Sequence, residues 1–532
     1  MAAGPSRWLR DARRRMAEMP TFGLSRVPDA PALAVRDPWP GDPVRGANLL
    51  KGELAWGGST TALRPGSFVD SNAPTELRAA AHGFGWIRDL RALGTDAARM
   101  RARQLVNEWI ADGGSDPVAQ RPDVAGARIT AWLGHYDFFA ASADDGFRQR
   151  LMGRLVADAR RLAAALPTEE MDARALTALK GLIAAAVALP ERAGFLSRAT
   201  KVLTQEIARQ ILPDGCHCER SPAQQLGVLQ DLTEIRALLH SAQMQAPLPL
   251  AAAIDRMAPA LRAMRHGDGG LTLFNGTKEE GATLVETVLM QTARPGRAPP
   301  ALQDGGFQRL QAGRSVLIMD CGQPAPPKLD RYAHAGTLSF ELSIGRDRLI
   351  VNCGAAPGAG LEWRDATRAT AAHSTLVIAD TSSSELKPEG LGRRPEHVDV
   401  QRQEANGAHW LDASHDGWKK PFGVVHRRRL YMAETGEDIR GEDVVEGASP
   451  QPFVIRFHLH PDVDASLQQD GEAVLLRAPS GSGWRLRADG GRMTLEESVY
   501  LGGAEPRRGE QVVVTGFQDG PQQVKWAITK VG

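Results

Sequence analysis

Residues 336–345 read GTLSFELSIG, where Leu338, Phe340, Leu342 and Ile344 alternate with Ser339, Glu341 and Ser343. A period of two is the pattern of a strand with one buried face. The same habit extends outward through SVLIMD (315–320), RLIVNCG (348–354), STLVIAD (374–380), VVHRRRLYM (424–432), FVIRFHLHP (453–461), AVLLRA (473–478) and QVVVTGF (511–517), with Gly-rich or polar turns between them. Many short strands in series predict a β-sandwich.

Upstream the period is 3.6. Leu105, Val106, Trp109 and Ile110 make one apolar face and Leu151, Leu155 and Leu162 another. Leu176, Leu179, Leu182, Ile183 and Ala186, then Leu203, Ile207 and Ile211, then Leu226, Leu229, Leu232 and Ile235 repeat the pattern. Successive amphipathic helices imply helix packed on helix. Pro213, Asp214 and Gly215 stop one helix, and Ser221 with Pro222 has the chemistry to start the next, which places the connection DGCHCERSP at one end of the array. The change of period falls at HGDGG, residues 266–270. The expected division is an irregular Pro/Gly-rich arm over 1–70, a helical domain over 71–266 and an antiparallel β-sandwich over 267–532.

The chain has 532 residues, too many for one core, and 64 basic against 63 acidic residues give a formal charge of +1. No global field draws nucleic acid or an anionic membrane. Cys216, Cys218, Cys321 and Cys353 are too few to staple such a chain. The opening MAAGPSRWLRDARRRM is basic enough for a leader, but PTFGLSRVPDAPALAV follows where an unbroken apolar run is needed, so no signal peptide is read. The most apolar run, Leu182 to Leu189, is less than half of a membrane span of about 20 residues. There is no Walker loop, no dinucleotide-binding glycine fingerprint and no GxSxG elbow.

The densest polar constellation is WRDATRATAAHST, residues 363–375, with Arg364, Arg368 and His373. Paired guanidiniums can hold carboxylates or sulfates, and an imidazole can move a proton near neutral pH; equally, the arginines can anchor the loop. In FVIRFHLHP the period of two sets Arg456, His458 and His460 opposite Phe453, Ile455, Phe457 and Leu459. Two histidines so spaced, with a third ligand from His373, His415 or Asp416, would suit zinc; a polar strand face is the plain alternative. Glu219 and Arg220 stand on the inter-helix connection, where they either face a substrate or pair with neighbours. CHC in that connection reads as ordinary thiols, since no second CxC or CxxC accompanies it. Tyr332 and His334, just before the 336–345 strand, can serve as acid and base or as a plug.

The order ILPDGCHCERSP, YAHAGTLSFEL, LIVNCG, WRDATRATAAHST, RFHLHP resembles the heparinase II/III family over most of the chain. The resemblance implies an incomplete (α/α) toroid followed by an antiparallel β-sandwich. It also implies a polysaccharide lyase that cuts uronic-acid chains of the heparin, heparan sulfate or alginate kind by β-elimination. That reaction needs a cation or donor on the uronate carboxylate, a base for the C5 proton and an acid for the departing O4. On this reading Arg174 or Arg368 neutralises the carboxylate, His373, Tyr332 or His334 moves the protons, and Arg364, Arg368, Glu219 and Arg220 line the substrate. The partner is then an acidic polysaccharide, and the implied cofactor is a structural zinc held by His373, His458, His460 and Asp416, with His373 either a ligand or the catalytic imidazole.

Several family positions differ. Ala173 and Arg174 stand where an Asn-His pair is expected, Gln224 and Gln225 where a Tyr-His pair is expected, and Ala355 and Ala356 replace a Gly-Thr-Tyr turn. Glutamine cannot abstract the C5 proton. The second reading is therefore a non-catalytic acidic-glycan-binding or envelope-assembly protein, and a third is a sandwich whose zinc is only a staple. The compartment stays open: with no signal peptide read, the sequence alone points to the cytoplasm, whereas the resemblance implies the periplasm.

Overall fold

The computed structural model describes residues 27–531 except 67, 170, 190–192, 280, 293–295, 448–450, 469–470 and 517–521. They form two units: one takes the described residues up to Gln210 with Gly227–Asp255, the other Ile211–Leu226 with the described residues from Arg256 onward.

In the first unit, the helix Asp145–Ala165 begins at Asp144, whose carboxylate accepts the Phe147 N–H (2.8 Å), and it buries Phe147, Leu151, Leu155 and Leu162. The helix Ala173–Ala188 is apolar on nearly all sides and is correspondingly buried nearly all round. It crosses the helix Pro122–Gly134 through glycines: a Cβ on Gly181 would lie 2.2 Å from Gly126 Cα. Beside that crossing Arg128 and Asp158 form a buried pair at 2.8 Å, with the guanidinium 4.1 Å from the Trp109 ring centroid.

The stretch read as an irregular arm is more ordered than expected. Residues 1–26, which carry the basic opening and the start of the stretch on which the leader reading rests, lie outside the described residues. Beyond them, Asp42 accepts from Val44 and Arg45 to cap a helix Pro43–Leu50, and Glu53–Trp56 pairs with Ser59–Ala62 across Gly57 and Gly58, both at positive φ. An Asp-Pro helix start and a Gly-Gly hairpin turn explain the order, and the overall Pro/Gly content masked both.

The second unit holds two antiparallel sheets. One runs in spatial order 464–468, 473–477, 483–489, 523–530, 438–447, 424–432, 408–415, 398–405. The other runs 491–500, 507–516, 453–459, 347–351, 340–344, 315–320, 307–312, 301–302, with 376–378 also paired to 453–459. Between them lies one core in which Phe340 stacks on Trp526 at 5.5 Å and Phe457 meets the same indole edge-on at 5.1 Å. Arg428 is buried there against Asp443 (Nε–Oδ1 2.7 Å, Nη2–Oδ2 3.0 Å) and donates to the carbonyls of Leu338 and Ser374.

Two expectations change. The period of two does not begin at residue 266, because a helix Ala282–Met290 precedes the sandwich, with Val285, Val288 and Leu289 buried at helical spacing. And the strand Phe340–Ile344 is buried on both faces, not one: Phe340 and Leu342 enter the core, while Glu341 and Ser343 meet His266.

Candidate functional site

The connection Ile211–Leu226 belongs to the second unit and is braced from within. Gly215 has φ +87°, and a Cβ there would lie 2.1 Å from the Arg256 carbonyl oxygen, so only glycine makes this turn. Gln225 holds the turn: its Oε1 accepts the His217 N–H (2.6 Å) and its Nε2 donates to the carbonyls of Gly215 (2.9 Å) and Met257 (3.1 Å). The amide standing where the family has a proton-transfer pair is thus fully used in structure.

Arg220 is buried over the Phe307 ring. Its guanidinium donates to the carbonyls of Gly305 (2.7 Å) and Gln323 (2.6 Å) and pairs with Asp320. Glu219 is buried beside His217, 3.7 Å from its Nδ1. Asn275, at φ +46°, joins this segment to the next: its Nδ2 donates to the Arg220 carbonyl (2.8 Å) and its Oδ1 accepts the His334 N–H (3.0 Å).

His334 and His373 come together, both buried, with His334 Nδ1 3.0 Å from His373 Nε2. The Gly276 N–H lies 3.0 Å from His334 Nε2, and the Ala369 carbonyl 2.8 Å from His373 Nδ1. An amide N–H only donates and a carbonyl only accepts, which fixes the protons. Gly276 N–H donates to His334 Nε2, His334 Nδ1–H donates to His373 Nε2, and His373 Nδ1–H donates to Ala369. Burial holds both rings neutral: His334 is pushed well below the ordinary imidazole range and His373 down to about 4. No ring nitrogen is left to take a substrate proton.

The arginines of the 363–375 stretch are clamps. Arg368, buried, donates to the carbonyls of Ala333 (3.1 Å), Lys387 (2.9 Å) and Gly390, and burial together with Arg364 lowers its pKa to about 10. Arg364 donates to the carbonyls of Pro388 (2.6 Å) and Arg331 (3.3 Å). Tyr332 is half-buried against Gly276, with the Arg331 guanidinium 5.8 Å from its ring centroid. Arg174 lies in the helical unit, where its Nη2 pairs with the cap residue Asp172 at 2.8 Å.

The four expected zinc ligands do not assemble. His458 Nε2–H donates to the Ala371 carbonyl (2.9 Å), so its Nδ1 accepts from the Ser498 hydroxyl (2.8 Å). His460 lies 3.3 Å from Glu279 and edge-on to Tyr500, and Asp416 accepts the N–H groups of Glu396 and His397. Among the described residues no three His, Cys, Asp or Glu side chains converge to hold a metal.

The residues that order this region most were not singled out by the sequence reading. Glu341, fully buried, accepts from Asn352 N–H (2.9 Å), Asn352 Nδ2 (3.0 Å), Leu273 N–H (3.1 Å) and His266 Nε2 (2.8 Å). Asn352 Oδ1 then accepts the Ser374 N–H, whose hydroxyl accepts the His458 N–H. A carboxylate in mid-strand between apolar neighbours was the available signal. For Asn275 it was the Asn-Gly dipeptide.

A helical unit with a two-sheet antiparallel unit is the build of a polysaccharide-lyase-like protein. The comparisons agree: the model of the heparinase II/III N-terminus matches residues 116–294 and that of the heparinase II/III-like C-terminal region residues 294–527. The chain belongs to the heparinase II/III family. It is 31% identical over 528 residues to the FtsZ-localized protein C of Caulobacter vibrioides (strain NA1000 / CB15N), covering 94% of this chain and 91% of that one. Among solved structures it is similar to heparinase III (TM-score 0.74, 13% identity, 98% of this chain and 89% of that one). It is also similar to the heparan sulfate lyase HepC of Pedobacter heparinus (TM-score 0.59, 14% identity, 99% and 88%). These two likenesses are of fold. No helix among the described residues is long and apolar enough to cross a membrane.

Proposed function

We propose that this chain is a non-catalytic member of its family, a lyase fold that works in envelope assembly together with FtsZ. The observation that carries the first half is the committed proton inventory of the histidine pair. β-Elimination needs a base with a free lone pair and an acid with a free proton at the sugar. His373 offers neither, because its Nε2 accepts from His334 and its Nδ1–H is held by Ala369. Of the cations expected on the carboxylate, Arg368 spends its donors on main-chain carbonyls and Arg174 pairs with Asp172, while Arg220, expected to line the substrate, is held by the carbonyls of Gly305 and Gln323 and by Asp320. The second half rests on the 31% identical relative, whose name places it with FtsZ.

Two experiments test this. Purified protein is mixed with heparin, heparan sulfate, alginate and other uronic-acid polymers, and the ultraviolet absorbance of the unsaturated uronate product is followed beside a His373→Ala variant. No product is expected; product from the parent that disappears in the variant would restore the elimination reading. Separately, the protein is spun with polymerised FtsZ from the same cells. Enrichment in the pellet is expected, and its absence would overturn the FtsZ half.

A further inference from the structure

Family resemblance leads one to expect a zinc staple near the sandwich, and the donor set argues against it. A metal between His334 and His373 needs a lone pair from both facing nitrogens, His334 Nδ1 and His373 Nε2. His334 would then carry its proton on Nε2, which faces the Gly276 N–H at 3.0 Å, so that two hydrogens would point at one another. The neighbouring Asn352 offers no third ligand. Its Oδ1 accepts the Ser374 N–H at 2.9 Å and its Nδ2 donates to Glu341 at 3.0 Å. At His458 Nε2–H is held by the Ala371 carbonyl at 2.9 Å and the acceptor nitrogen Nδ1 is 2.8 Å from the Ser498 hydroxyl.

We infer that this part of the chain is held by a metal-independent staple, the hydrogen-bonded series Gly276, His334, His373, Ala369. It fastens two loops that no sheet ladder joins. One is residues 273–279, also tied to the inter-helix connection through Asn275. The other is the turn 369–373 that leads into the strand Leu376–Ile378. Each link is a neutral hydrogen bond whose direction is set by a main-chain group at either end, so the series holds its geometry without an ion.

The test uses the full-length protein. Elemental analysis after dialysis is expected to give far less than one zinc per chain, and EDTA is expected to leave Tm unchanged. His334→Gln, His373→Gln and the double variant are then melted in EDTA. Because either replacement breaks the same series, the double variant is expected to lose much less Tm than the sum of the single losses. Stoichiometric zinc that disappears in His373→Gln, or a Tm that falls on chelation, would overturn the inference. So would additive single losses in EDTA. Zinc that persists unchanged in the double variant would lie elsewhere and leave the staple metal-free.

Discussion

Acid should unfold this protein well before its carboxylates protonate. His373 and His458 are buried as neutral rings, with pKa values lowered by burial to about 4 and about 3, against an ordinary 6.5 in the unfolded chain. Between those values the unfolded chain binds the extra proton and the folded one does not, so stability rises with pH and is lost as pH falls below about 6.5. At about pH 5 each such ring removes about 2 kcal/mol, from 1.36 kcal/mol per pH unit over about 1.5 units. The loss from His373 levels off near pH 4 and that from His458 near pH 3. His334, His415, His426 and His266 are lowered in the same direction by burial and add to the slope. Urea unfolding midpoints measured at intervals from about pH 7.5 to about pH 5 give the slope. His458→Asn should make it shallower, by about 2 kcal/mol over the range. A stability that is flat across this range, or a slope identical in parent and variant, would refute neutral burial of the imidazoles.

Other perturbations have worked magnitudes. Arg428→Met leaves Asp443 with His426 and Trp526 but without its cation, and should cost about 3–5 kcal/mol by urea titration, as for a broken buried pair. Glu341→Gln turns an all-acceptor carboxylate into a group with two donors facing donors, so a loss of about 1–3 kcal/mol is expected from the same measurement. Gly181→Ala puts a methyl 2.2 Å from Gly126 Cα and should lower Tm of the helical unit by forcing the two helices apart, with an overpacking cost of about 1–3 kcal/mol or more.

The two periodicities were legible in the sequence, and so was the break at Pro213–Gly215, where the helix ends at Gln210 and the next begins at Pro222. What was hidden is what covers each face. Alternation shows that Glu341 lies opposite Phe340 and Leu342, but not that His266, 75 residues earlier, closes over it. The helix Ala282–Met290 is hidden in the sequence because Thr and Val favour strands while its burial follows a helical spacing. In the candidate site, His334 and His373 were both picked out from sequence, and the structure pairs them across 39 positions. The arginines were picked for their charge, yet the partners that occupy Arg220, Arg364 and Arg368 are mostly carbonyl oxygens, which every residue has and no motif marks.

The segment Ile211–Leu226 makes the second unit discontinuous in sequence. Trimming the gene at residue 267, or at the boundary near 294 where the two family matches meet, would therefore keep the strands of both sheets but yield an incomplete second unit. Asp320 would keep its buried position and lose Arg220, Phe307 would lose the guanidinium that covers it, and Asn275, if present, would have no Arg220 carbonyl to hold. A stranded buried carboxylate costs several kcal/mol. Dissection of this protein succeeds only if the inter-helix connection travels with the strands, which makes a two-chain complementation, not a simple truncation, the practical route to an isolated C-terminal half.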